Sequence, residues 1–316
     1  MTDVTTSDVD WTSAHREAGV TPRRMVLRRF LRHRLAVASG VLLALLALAS
    51  LAAPLVAQLL GHDVDAVDLF NRFSPASLDH PLGTDELGRD LLLRLLYGGQ
   101  ISLFVGLVGA IAAATIGTII GVIAGYAGGR IDAFLMRLTD AVIALPLLPL
   151  LIILAAIDFT KIGLPAAVMR SSYGSLYIIL GIIALVGWTT VARLVRGATL
   201  SVRERPYVQA AVALGAGPSR IIARHILPNI VSPIIVATTL SVGNIILTES
   251  ILSFLGLGIQ PPLPSWGNML TNAQELIWQA PALAIWPGLL IFVAVIAFNF
   301  LGDGLQDALD PRADEP

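Results

Sequence analysis

The sequence predicts an all-α membrane protein with six transmembrane helices and both termini in the cytoplasm. Three observations predict it. Hydrophobic residues make up 55% of the chain and charged residues only 14%, where a soluble domain carries about 25% charge. The mean hydropathy is +0.78. The apolar residues gather into runs that approach or exceed the roughly 20 residues needed to cross a bilayer, and polar segments rich in Arg, Gly and Pro separate them. The net charge of −1 excludes little, because in a membrane protein the placement of charge matters more than its sum. There is no Cys, which excludes disulfides, thiolate metal sites, iron–sulfur clusters and a cysteine nucleophile.

Taken in order, residues 1–22 read as a disordered cytoplasmic tail. Residues 23–75 form an N-terminal segment. Its basic stretch carries Arg23, Arg24, Arg28, Arg29, Arg32 and Arg34, and the first span follows from Leu35 to about Leu60. That run is too long for a signal peptide and lacks a clear small-residue cleavage site, so it reads as a retained helix. Residues 76–100 read as an extracytoplasmic amphipathic helix. Thr84 or Asp85 can cap its start, Leu87, Leu91 and Leu95 share a face, and Asp85–Arg89 and Asp90–Arg94 are i,i+4 pairs.

Residues 101–303 form a five-helix core. The second span runs from Ile101 to about Ala127 and carries Gly117, Gly121, Gly125 and Gly129 at a constant interval. Such a stripe of bare backbone lets another helix approach closely, and plain helix packing accounts for it. Gly128–Asp140 reads as a short polar turn. Ala141–Ile157 is the bulk of the third span, bent by Pro146 and Pro149. A loop covers residues 158–173. The fourth span is Leu176–Leu194, the fifth Ile230 to about Phe254, and the sixth Leu283 to about Leu301. Gly256–Ala280 is a polar loop, and residues 304–316 are a second cytoplasmic tail. Trp188, Trp266 and Trp286 fall near span ends, where anchoring at the membrane interface explains them.

Six spans put both termini on one side, and the distribution of basic residues tells which. With the N-terminus inside, inner segments hold 16 of the 21 basic residues and outer segments hold Arg72, Arg89, Arg94, Lys161 and Arg170. The positive-inside rule therefore places both ends, and the segment 196–229, in the cytoplasm.

No catalytic constellation appears. A phosphate-binding loop ends in Lys followed by Ser or Thr, and here the sole lysine, Lys161, precedes Ile162. There is no His-Glu-x-x-His pair for a metal, and Ser and His are too scattered to argue a triad. Polar residues inside spans invite a functional reading. Thr238, Ser241, Asn244 and Thr248 share one face of the fifth span, and Glu249 lies near its outer end. They read as possible pore-lining groups, with helix–helix hydrogen bonding as the blander account.

The most informative stretch is Val208–Asn229. Gln209–Leu214 is Ala-rich and helix-forming. Gly215 and Gly217 stop that helix, and Pro218 can open another. Ile221, Ile222, His225 and Ile226 recur at helical spacing, and Pro228 closes that second helix or kinks the next. The result is a helix–turn–helix elbow at the membrane surface, with Arg203, Arg205, Arg220 and Arg224 around it.

This elbow resembles the EAA loop of bacterial ABC-importer permeases, a Glu-Ala-Ala run, a Gly four residues on, and a Leu-Pro pair beyond. Gln209, Ala210, Ala211, Gly215, Leu227 and Pro228 fall in register. Gln209 replaces the Glu and loses its charge, and His225 stands where an apolar residue is expected. HPLGTDELGRDLLLRLLYGGQISL, WTTVARLVRGATLSVRERPYVQAA, ESILSFLGLGIQPPLPSWGNML and NFLGDGLQDALDP resemble the C-type permease subunits of dipeptide, oligopeptide and nickel importers. Together these cover roughly Arg23 to Pro311.

The resemblance implies the type I importer permease fold and a non-catalytic subunit that forms half of a pore for di- or oligopeptides. It implies four partner types: a homologous B-type permease, two cytoplasmic ATPase subunits that hold ATP and Mg, an extracytoplasmic substrate-binding protein, and the lipid bilayer. Nucleic acid is not among them. It assigns Gln209, Ala210, Ala211 and Gly215 to a coupling helix that docks on an ATPase. Import of nickel chelates by the same machinery is the alternative. A secondary transporter working alone would need inverted repeats or ion-coupling acids. The chain shows no convincing repeat and offers only Glu249.

Overall fold

All regular structure among the described residues is helical, apart from a single bridge between Thr84 and Asp90. The computed structural model describes residues 22–157, 161, 171 and 173–309. Nearly all of the expected tail at 1–22, residues 310–316 of the tail expected at 304–316, and most of the loop at 158–173 lie outside the described residues.

A basic helix, α1 (Pro22–Arg32), leads into the first span, α2 (Arg34–Leu51). The span continues as α3 (Ala53–Leu60) after a break at Ala52. Pro54 causes the break: it has no N–H to offer the Ser50 carbonyl, and Gln100 donates its side-chain amide there instead (2.7 Å).

The expected helix at 76–100 is corrected. A loop runs to Asp90, and one unbroken helix, α4 (Leu91–Ala127), takes in the rest together with the second span. Neither Thr84 nor Asp85 caps it. Thr84 donates its hydroxyl to the Asn71 carbonyl and accepts the Ser74 N–H, while Asp85 accepts the N–H groups of Leu87 and Arg89. Both are committed to folding the loop, so Asp90 caps α4 by accepting the Leu93 N–H at 2.8 Å. The Asp85–Arg89 ion pair forms (2.7 Å). Arg94 turns to Asp85 (3.4 Å) rather than to Asp90, whose carboxylate meets His80 (2.9 Å). In the same loop Asp68 accepts the Asn71 amide and the Phe70 N–H, which hold its carboxyl below the usual carboxylate range.

Gly128–Asp140 is likewise helix rather than a polar turn. Helix α5 (Gly129–Ala144) carries its two acids paired across to α7 (Gly174–Arg203): Arg196 forks onto both oxygens of Asp132, and Arg193 meets Asp140. Helix α6 (Leu147–Ala155) follows after an 87° bend. Pro146 sets the bend, because the residue before a proline is driven out of the helical region, and Leu145 is extended (φ −73°, ψ 134°). Pro149 falls in the first turn of α6, where it is tolerated.

Helix α7 runs into the elbow helix α8 (Pro206–Ala213). The fifth span, α9 (Pro218–Phe254), is continuous from the elbow but contains a π turn at Ile222–Ile226. In that turn the Leu227 N–H reaches the Ile222 carbonyl. The wider turn makes room for Pro228, which can offer no hydrogen bond to the preceding turn. The last span is α10 (Ala282–Leu309), so the expected tail at 304–316 begins as helix. Among the described residues five helices are long and apolar enough to cross a membrane, and a sixth span results if α5 and α6 count as one.

Helices α4, α7 and α9 form the centre. Gly117, Gly121 and Gly125 of α4 lie against the α7 backbone. A Cβ on Gly117 would stand 2.6 Å from the Trp188 carbonyl oxygen, and one on Gly121 the same distance from that of Ala192. Gly129 is corrected: it lies past the end of α4 with φ +53° and no neighbour within 4 Å, so it makes the turn and not the contact. Helices α2 and α10 pack outside this centre, with Gly304 against Ala36.

Candidate functional site

The elbow is built to be stiff and to present small side chains. Pro206 opens α8 and Gly215 closes it. Gly215 (φ +82°) donates to the Val212 carbonyl, and Ala216 donates to that of Ala211 (3.0 Å). These are the two bonds of a Schellman stop, which requires a left-handed residue at that point. Nothing lies within 4 Å of a Cβ placed on Gly215, so its glycine answers to backbone conformation and leaves the space beside it open.

Val208 anchors α8. It is fully buried in a cluster with Val195 of α7 and Ile221, Ile226 and Ile230 of α9. Gln209, Ala210, Gly215 and Pro228 are exposed, and Ala211 and Leu227 are half-buried. Leu214 stands at the tip, 89% exposed. Arg205, Arg220 and Arg224 are exposed around it. An apolar, small-residue face ringed by positive charge suits a partner surface with a matching hollow and acidic rim.

Gln209 donates its side-chain amide to the carbonyl of Arg203 (3.0 Å), the last residue of α7. A glutamate could not make this bond, since a carboxylate only accepts. Arg203 in turn donates to the carbonyls of Gly125 and Tyr126 at the end of α4. The elbow is thus tied by hydrogen bonds to two span ends as well as by burial.

The stripe on α9 is divided. Ser241, Asn244 and Thr248 line an open groove of about 550 Å³ between the α5–α6 bend, α7 and α9. Val142, Leu147, Ile183, Thr189 and Thr190 contribute to its walls, and among the described residues no charged side chain does. Thr238 does not line it. The hydroxyls of Thr238, Ser241 and Thr248 donate to carbonyls one turn back in their own helix, and Asn244 is the exposed residue of the stripe. Glu249 is corrected. It faces away from the groove and is fully buried.

Glu249 instead sits in a cage of serines that no local pattern in the sequence announces. Its carboxylate accepts hydroxyls from Ser253 (2.6 Å), Ser265 (2.9 Å) and Ser102 (3.4 Å). Trp266, 1% exposed, lies beside it and donates its indole N–H to the Leu95 carbonyl (2.9 Å). It is no interface anchor, and neither is Trp188, which is buried. Among the described residues, no group of three or more His, Asp or Glu could hold a metal ion.

Residues 117–315 match the family described as binding-protein-dependent transport system inner membrane component. Residues 21–76 match the N-terminal transmembrane domain of oligopeptide transport permease C. The chain is 40% identical over 288 residues to the oligopeptide transport system permease protein OppC of Haemophilus influenzae, covering 90% of this chain and 87% of that one. It is 40% identical over 294 residues to the glutathione transport system permease protein GsiD of Pectobacterium atrosepticum, covering 92% of each. It is 38% identical over 293 residues to the dipeptide transport system permease protein DppC of Alkalihalophilus pseudofirmus, covering 93% of this chain and 91% of that one.

Proposed function

The chain belongs to the binding-protein-dependent transport system inner membrane components, and from that premise we propose that it forms half of a short-peptide pore driven through its elbow. It is a multi-pass inner-membrane permease subunit of an ABC importer. The relatives named for oligopeptides, dipeptides and glutathione all bear names of short peptides, which supports the same substrate class here. The groove supports it too: an uncharged wall with one exposed amide suits solutes whose charges vary but whose peptide bonds do not.

The observation that carries the reading is the elbow. Its outward face is small and apolar, and its inward residue, Val208, is locked against α7 and α9. A displacement applied at α8 passes to both helices at once. Helix α4 follows α7 because their backbones are in contact along Gly117, Gly121 and Gly125. Helices α5 and α6, bent by 87°, flank the groove and can change their angle to this block. The groove would then open to either side in turn, as a two-state packed assembly does. The work comes from ATPase subunits docked on α8, which hold ATP and Mg. A B-type permease completes the pore, and a binding protein delivers substrate to the end opposite the elbow. In this arrangement both termini and the elbow are cytoplasmic, as the basic residues predict.

The test is site-directed cross-linking in membranes holding the whole importer. A photoreactive group on Ala210→Cys is expected to capture an ATPase subunit. Labelling of Ala210→Cys by an impermeant reagent added to intact cells would end the reading.

A further inference from the structure

The end of the molecule opposite the elbow carries a buried acid that the transport reading leaves without a task. Glu249 is fully buried, and its side-chain partners among the described residues are the hydroxyls of Ser102, Ser253 and Ser265. Each of these hydroxyls has a second bond, and in every case it accepts a backbone N–H from the loop between α9 and α10. Ser102 accepts from Trp266 (3.1 Å), Ser253 from Ile259 (3.0 Å) and Ser265 from Asn268 (3.1 Å). All three hydroxyls donate to Glu249, and their lone pairs are thereby turned toward the loop.

We propose that Glu249 is a positioning residue, holding the loop at residues 256–270 as a rigid platform on which the substrate-delivering partner docks. The loop is bracketed to three helices. The Trp266 indole bonds to α4 through Leu95, the Ser253 hydroxyl holds Ile259 to α9, and the Gln260 N–H donates to Ser175 at the start of α7 (3.1 Å). Asn268 ties the loop to itself, donating to the carbonyls of Ile259 and Leu263. What this bracket leaves outward is Gln260, Pro261 and Pro262, all exposed. Helices α4, α7 and α9 are the same three that the elbow moves, so the platform and the elbow are two ends of one block. Docking at one end can then be felt at the other with no bending between.

This inference rests on the transport reading for the side of the membrane that the loop faces. The test uses the whole importer in nanodiscs, with ATP hydrolysis followed as its own purified binding protein is titrated. Glu249→Gln keeps the size but places an NH₂ among hydroxyl donors. It is expected to raise the binding-protein concentration for half-maximal stimulation about tenfold and to leave the maximal rate within about twofold. Ser265→Ala, which removes one strut and no charge, is expected to shift the same midpoint about threefold, and it carries the test if Glu249→Gln fails to accumulate. An unchanged midpoint in Ser265→Ala, or a fall in maximal rate with no change in midpoint, overturns the proposal. Impermeant maleimide on Gln260→Cys in intact cells separates the two readings. No labelling there removes the transport orientation, whereas labelling together with an unmoved midpoint removes the platform alone.

Discussion

The two ends of the central block are held by opposite means. At the elbow, rigidity comes from the backbone: a proline start, a Schellman stop at Gly215 and one buried anchor, Val208. Ala210, Val212 and Leu214 are left exposed on its outer face. At the opposite end, rigidity comes from side chains: Glu249, three serines and Trp266 satisfy one another in the interior. A surface that must bind tightly and release keeps its polar groups few and its shape stiff. A surface that must hold a long loop in one place uses polar bonds that have direction.

The contrast is sharpest at Trp266. Replacing it with Ala empties the space over Gly98 and Gly99 and frees the Leu95 carbonyl. The expected loss is about 3–5 kcal/mol, seen as a large drop in melting temperature in detergent. At the elbow, Gly215→Trp should do the reverse. Left-handed strain costs only about 1–2 kcal/mol, so the protein inserts and melts nearly as before, while uptake in cells is abolished because the open side of the lever is filled. Normal uptake by a confirmed Gly215→Trp protein would break the comparison. A smaller effect is expected from Gln209→Glu, which loses the bond to the Arg203 carbonyl and sets a negative charge at a helix C-terminus. Amide exchange around Val208 should quicken about fivefold, equivalent to about 1 kcal/mol. The smallest is at Asp68, whose carboxyl is held below its ordinary range. Its contribution is present above the unfolded value near pH 3.9 and fades as pH falls through the lower folded one. Exchange of the Phe70 amide should therefore rise only in strong acid.

The spans and the elbow were legible because apolar runs and glycine stops are local signals. Four misreadings share a physical cause. Gly128–Asp140 looked like a turn because it is charged, but Asp132 and Asp140 find their arginines on α7, about sixty residues away in the chain. Thr84 and Asp85 have capping side chains, but the loop claims both and Asp90 caps the helix instead. Gly129 completes an even interval in the sequence, yet the helix has ended before it. Glu249 reads as a pore acid because two of its three serine partners, Ser102 and Ser265, lie in other segments, and serine carries no pattern of its own. Local chemistry names what a residue can do, and only the fold says which claim on it comes first.

The π turn of α9 at Ile222–Ile226 spends an extra residue on a single coil, and each residue of a helix advances the azimuth by about 100°. It therefore clocks everything before it relative to everything after it. Shortening this coil by one residue would leave both helices intact and swing the Leu214 knob to another bearing, so that the same pull would act along a different axis.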